Sequence, residues 1–187
     1  KVITPECKIE WKYLEEIEEG DVACINRSSQ LWPNEYVDIS QHHTSEGQPK
    51  YLDERWGELL GLLAGDGHWT NNRAISITVG EKPFEKYLMS LFRDLFGKVS
   101  YYPDKRKVDV GRVSAHGKDI RQFLNNLGWV VDCTTTTKQI PHTIMQSPKS
   151  VVCAFLRGLF ETDGSAYQQS ITLSSASYEL ARETQLL

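Results

Sequence analysis

Leu59-Leu60-Gly61-Leu62-Leu63-Ala64-Gly65-Asp66-Gly67 and Leu156-Arg157-Gly158-Leu159-Phe160-Glu161-Thr162-Asp163-Gly164 carry one short pattern twice, 97 residues apart. Five of the nine positions are identical: Leu, Gly, Leu and a terminal Asp-Gly. Each copy predicts a short apolar helix with a glycine on one face, ending in a carboxylate at a glycine stop. Gly65 lies one helical turn beyond Gly61, so that face of the first helix is nearly bare. Bare faces let two helices cross at short distance, here through Gly61, Gly65 and Gly158. Crossing at the C-terminal ends sets Asp66 beside Asp163. Two carboxylates held that close repel unless divalent cations lie between them. Paired carboxylates with metal form the layout of a phosphodiester-cleaving site.

Alone, either copy describes an ordinary core helix followed by a turn. The repeat changes that reading. Strand-like residues follow both copies, Ala74-Ile75-Ser76-Ile77-Thr78-Val79 and Ser170-Ile171-Thr172-Leu173-Ser174. Helix-like stretches then follow, from Pro83 to Phe96 and from Ser177 to Leu187. A duplicated unit of helix, hairpin and helix is hard to reach by chance.

Composition narrows the classes. The 187 residues are 40% hydrophobic and 10% aromatic, enough for one sizeable core plus an appendage. No apolar run is long enough to span a bilayer, and no signal-peptide pattern opens the chain. Cys7, Cys24, Cys133 and Cys153 lack C-x-x-C spacing, and the five histidines are scattered, which argues against zinc. Scattered thiols suit a reducing compartment, so a cytoplasmic, nucleoid-associated location is expected. The net charge of −4 hides an asymmetry. Residues 1–66 carry 6 Lys+Arg against 14 Asp+Glu, and residues 67–187 carry 15 against 11. The second part is therefore basic, as a nucleic-acid surface requires.

The sharpest basic stretch, Lys98 to Arg112, predicts a β-hairpin with Asp104 to Arg106 at its turn. Alternation places Val99, Tyr101, Val108 and Val110 on one face. Lys98, Ser100, Tyr102, Lys107, Asp109 and Arg112 fall on the other, with Lys105 and Arg106 at the turn. A two-stranded ribbon can enter a major groove and read base edges with such side chains. The earlier hairpin follows the same logic with fewer charges, through Trp69, Asn71, Asn72, Arg73, Ser76 and Thr78. Phe84, Tyr87, Leu88, Leu91, Phe92 and Leu95 form an apolar stripe stopped by Gly97. A second stripe, Ile120, Phe123, Leu124 and Leu127, ends at Gly128. Both stripes are expected to face the core.

From Arg55 to Leu187 the chain resembles the LAGLIDADG homing endonucleases, in the dodecapeptide form found inside inteins. Lys138-Gln139-Ile140-Pro141 is similar to the K-x-I-P block ahead of the second motif in that family. Ala64 and Glu161 occupy the first acidic position of the family name, while the functional acid matches Asp66 and Asp163. The resemblance implies an α+β fold: an αββαββα half-domain over residues 55–148 and an incomplete second half-domain over 149–187. It implies Mg²⁺ (or Mn²⁺) held by Asp66, Asp163 and the backbone carbonyls of Gly65 and Thr162. Lys138 is then the cationic catalytic group, and double-stranded DNA the substrate, cut with 3′ overhangs. Rival readings are a cleavage-inactive binding remnant, a protein-splicing element alone, and an RNA-splicing maturase.

Ile9-Glu10-Trp11-Lys12-Tyr13-Leu14-Glu15-Glu16-Ile17-Glu18-Glu19-Gly20-Asp21-Val22 resembles a stretch of intein splicing (Hint) domains, which inteins place just ahead of the endonuclease. Residues 1–30 are accordingly expected to be the tail of an all-β splicing subdomain. Residues 31–54, polar with Pro33, Gly47 and Pro49, are expected to be a linker. Lys138 lies 72 positions beyond Asp66, whereas 24 positions follow Asp163. That difference predicts a split or partial intein, with the apolar side of Tyr178, Leu180, Ala181, Leu186 and Leu187 exposed until a second chain or further segment covers it.

Overall fold

The structure, a computed structural model, describes residues 2–23, 32–44, 46–70, 74–129 and 134–187. The chain divides into two compact units, Lys1–Leu31 and Trp32–Leu187. The first holds three two-residue strands, β1 (Val2–Ile3), β2 (Ile9–Glu10) and β3 (Val22–Ala23), antiparallel in the order β2-β1-β3. Gly20, at φ +102°, supplies the turn before β3. Asp21 beside it receives the Lys12 ammonium at 2.8 Å and the Glu18 amide at 3.0 Å. The Lys12 bond, more than the Glu18 amide, holds the Asp21 carboxyl below its usual pKa.

The second unit begins with α1 (Glu54–Asp66), β4 (Gly67–Thr70), β5 (Ala74–Val79) and α2 (Lys82–Phe96). It continues through β6 (Ser100–Pro103), β7 (Gly111–His116) and α3 (Lys118–Asn126). Then come α4 (His142–Met145), α5 (Lys149–Asp163), β8 (Gly164–Tyr167), β9 (Ser170–Leu173) and α6 (Tyr178–Leu186). The architecture is mixed α+β. Local chemistry sets the helix ends. Asp53 caps α1 by accepting from the Arg55 and Trp56 amides. Pro83 occupies the first turn of α2, where no amide donor is needed, and Gly97 closes it at φ +74°. Gly128, at φ +95°, follows α3.

Strands β4-β5-β7-β6 form an antiparallel sheet in that order. Ile75, Ile77, Val113 and Ala115 are completely buried on one face. They share a core with Leu88 and Phe92 of α2, Phe123 and Leu124 of α3, and the Trp56 ring of α1. Trp56 lies edge-on to both Phe96 and Phe123, with centroids 5.5 and 5.3 Å apart.

Helices α1 and α5 pack against each other more extensively than any other pair of elements. The glycines make this possible. A methyl group on Gly61 would overlap the Phe155 carbonyl oxygen, and one on Gly158 the Glu58 carbonyl oxygen. Gly57, one turn earlier, lies in the same way against the Val151 carbonyl. At the far end of this crossing Glu58 ties three helices together, accepting from Tyr87 of α2 at 2.5 Å and pairing with Arg157 of α5. Burial first, and the Glu58 carboxylate second, push the Tyr87 hydroxyl up to about 12.

Several sequence expectations are corrected here. Gly67 and Gly164 are not turn glycines: both are extended, at φ −67° and −91°, and each helix runs straight into a strand. Glycine is required because a side chain would strike the Leu63 or Phe160 carbonyl. The segment read as a linker folds back on itself, with Ile39 donating to Lys50 at 2.8 Å and Leu52 to Val37 at 3.0 Å. Its Ile39 and Leu52 are wholly buried in the main core. In α6, Leu180 is also fully buried, while Tyr178 and Leu186 are exposed.

Candidate functional site

Helices α1 and α5 end in Asp66 and Asp163, one at the C-terminus of each. The glycine-lined crossing brings these ends together. A methyl group on Gly65 would overlap the Thr162 hydroxyl and lie 3.5 Å from the Asp163 carboxyl carbon. Asp66 is exposed and Asp163 half-buried. Burial raises the Asp163 carboxyl above its usual pKa; Lys138 pulls it down and Asp66 pushes it up. Both neighbouring charges therefore act on Asp163. The Lys138 ammonium donates to the Gly65 carbonyl, and an ammonium has three donors, so two remain for other oxygens. A cavity of about 530 Å³ opens beside them, lined by Asp66, His68, Trp69, Trp129, Thr134 and Lys138 among others.

Among the described residues no group of three His, Cys, Asp or Glu converges on a metal-holding point. The oxygens present suit a cation that asks for less. Two carboxylates with nearby carbonyls are hard donors of the kind Mg²⁺ and Mn²⁺ take, and Mg²⁺ keeps several waters and draws further ligands from a phosphate. Burial, and after it the Asp66 charge, disfavour the ionised Asp163 carboxylate, and a bound cation would offset both. Gly65 offers its second carbonyl lone pair, since Lys138 uses the first.

Register decides which sheet residues face away from the core. Trp69 lies opposite the buried Ile75, and His68 opposite Ser76. Trp69 is thus on the core side, 5.8 Å from the Trp129 ring, and not on the face with Ser76 and Thr78. The polar face carries His68, Thr78, Arg112, Ser114, His116, Ser100 and Tyr102. Ser76 shares that face but is completely buried and bonded to Ser114 at 2.9 Å, so it cannot touch a macromolecule. Arg112 lies 5.4 Å over the Tyr102 ring, and the Tyr102 hydroxyl meets His116 Nε2 at 3.1 Å.

The β6–β7 hairpin turns through residues 104–110, longer than its sequence indicates. Val108 and Asp109 belong to that turn: Val108 is 89% exposed, and Asp109 adopts φ +60°. Lys105, Arg106 and Lys107 project there, exposed, and Lys98 is exposed just ahead of β6. Asn71, Asn72 and Arg73 lie outside the described residues. Sequence reasoning missed His68 and His116. Continuing the alternation from Arg112 along β7 would have found His116. By the same register Ser165, Tyr167, Ser170 and Thr172 share one face of the β8–β9 hairpin.

Comparison with known proteins bears on this arrangement. Residues 150–187 match the LAGLIDADG-like domain. Over 141 residues the chain is 30% identical to a DNA polymerase of Thermococcus hydrothermalis, covering 70% of this chain and 8% of that protein. Over 143 residues it is 29% identical to the replication factor C small subunit of Methanocaldococcus jannaschii, covering 72% and 8%. Over 179 residues it is 27% identical to the replicative DNA helicase DnaB of Rhodothermus marinus, covering 86% and 19%. The chain spans less than a fifth of each of these curated relatives.

Proposed function

We propose that this chain carries the endonuclease of an intein, a LAGLIDADG-type enzyme that hydrolyses duplex DNA at a long specific site. The observation that carries the reading is the juxtaposition of Asp66 and Asp163 at the ends of two glycine-packed helices, with Lys138 beside them. The match of residues 150–187, which contain the second of these acids, supports it. The relatives add a separate support. Three replication proteins of different name share this segment over a small part of their length, the pattern left by one element inserted into unrelated hosts. No helix among the described residues is long and apolar enough to cross a membrane.

In this reading Asp66 and Asp163, with the Gly65 and Thr162 carbonyls, would hold Mg²⁺ or Mn²⁺. Such an ion supplies Lewis acidity toward the phosphate and its attacking and leaving oxygens. The free donors of Lys138 stabilise charge that develops on the scissile phosphate. The polar sheet face, with Thr78, Ser100, Tyr102 and Arg112, lies along the duplex, and Lys105, Arg106 and Lys107 reach its backbone. Residues 1–30 belong to the splicing domain. A random duplex library incubated with the protein in Mg²⁺, with cut ends sequenced, tests the reading. One long consensus site with 3′ overhangs is expected. Retained binding without cutting would leave a binding remnant in its place.

Positioning and catalysis separate experimentally. Replacing Lys105, Arg106 and Lys107 together by Ala should weaken DNA binding and lower the salt slope by up to about 2.7, at roughly 0.9 per phosphate contact. Lys138→Ala should slow cleavage with affinity preserved. An unchanged slope in the triple variant would show that the β6–β7 turn is not on the DNA.

A further inference from the structure

Lys138 sits on a stretch without regular structure, between Thr137 and Gln139. A long flexible side chain there needs an anchored backbone to aim it. The anchors come from the other half of the molecule. The Ser177 hydroxyl donates to the Lys138 carbonyl at 2.6 Å, and the Glu183 carboxylate accepts from the Ile140 amide at 2.7 Å. Ser177 is completely buried, and the same oxygen caps α6 by accepting from Leu180 at 3.2 Å. Ile140, which donates the second bond, is itself buried.

We infer that Ser177 and Glu183 are positioning residues for Lys138: α6, which follows the second carboxylate, sets the lysine that follows the first. The geometry is specific. Two bonds bracket the lysine's own carbonyl and the amide two residues on, and the side chain then crosses to the Gly65 carbonyl. The lysine is thereby fixed to the same helix end that presents Asp66. Neither residue is readable as functional from sequence. Ser177 looks like a helix cap, and Glu183 like a solvated position on an amphipathic helix.

This inference rests on the role given to Lys138 under the proposed function, so its test has one arm independent of cleavage. In the full chain, pulsed acetylation read by mass spectrometry reports the exposure of the Lys138 ammonium directly. Ser177→Ala and Glu183→Ala should each raise Lys138 labelling severalfold, leaving Lys98 and Lys105 unchanged. Ser177→Thr keeps the hydroxyl and Glu183→Gln keeps an acceptor oxygen, and both should restore the native rate. On the duplex recovered from the library, the Ala variants should cut about 10–100-fold more slowly at unchanged affinity, the scale of losing an outer-shell partner. In a Lys138→Ala background they should cost nothing further. Labelling that stays native in both Ala variants overturns the inference, as does an additive loss in the double variants. Native cutting by Lys138→Ala would instead fault the proposed function, while the labelling still decides the anchoring.

Discussion

Asp66→Asn and Asp163→Asn should each abolish cleavage, lowering the rate by at least roughly 10²–10³-fold, the scale of removing one preorganised charge-stabilising group. Duplex affinity stays close to native, because the amide keeps the carboxylate's shape and the sheet face is untouched. The two variants should differ in stability. The folded protein raises the Asp163 carboxyl pKa, so it binds that proton more tightly than the unfolded chain does. Stability from this group is therefore present at acid pH and is lost as pH rises through the raised value. Above that value the folded state carries a partly buried charge that it disfavours. Asp163→Asn removes the charge, so at neutral pH without divalent cation its Tm should exceed that of the native protein. The gain should disappear below the ordinary carboxylate range, where both states are protonated. With Mg²⁺ added, the native protein should gain Tm and the variant should gain less, since ligand binding stabilises by mass action. Thermal melts across pH, with and without Mg²⁺, check all of this. An Asp163→Asn protein that cuts normally, or that melts lower at neutral pH, would contradict the assignment.

Gly61→Ala and Gly158→Ala carry the largest expected cost to the fold. Each methyl group would meet backbone rather than a flexible side chain: the Phe155 carbonyl and the Leu159 nitrogen for Gly61, the Glu58 carbonyl and the Leu62 nitrogen for Gly158. Helix backbones cannot retreat locally, so α1 and α5 must move apart. Overpacking of this kind costs about 1–3 kcal/mol. At roughly 2–4 °C per kcal/mol for a chain of this size, Tm should fall by about 2–12 °C. Cleavage should fall as well, because the same displacement separates Asp66 from Asp163. Gly80→Ala is the control. No atom lies within 4 Å of a methyl group there, so its stability should stay within about 0.5 kcal/mol of native. Equal melting of Gly61→Ala and Gly80→Ala would remove the close crossing from the explanation.

The duplicated motif was legible because helix periodicity, bare glycine faces and a terminal carboxylate are all local features. The helix ends at Gly97 and Gly128 were legible for the same reason: each glycine adopts a positive φ that other residues avoid. What failed was what depends on partners distant in sequence. Trp69 was assigned to the wrong face because strand register, which pairs it with Ile75, is not written in local spacing, and a slip of one residue inverts every side chain. Ser76 read as an accessible polar residue, but β4 and β7 flank its strand and Ser114, 38 residues on, takes its hydroxyl. Ile39 and Leu52 lie in polar surroundings with no periodic pattern to announce their burial, and Leu180, on a helix side expected to stay exposed, is covered by this chain's own core.

By itself, then, the sequence determined the α+β class, the order of helices and hairpins from residue 55 onward, and the pair of carboxylates that end the repeated helices. Periodicity and capping act within a few residues, so they survive without knowledge of the fold. Only the tertiary structure decided which strand face meets solvent, that Ile39 and Leu52 enter the core, and that Ser177 and Glu183 grip the backbone around Lys138. Those outcomes depend on strand register and on contacts tens of residues apart, and neither is encoded in the spacing of neighbouring side chains.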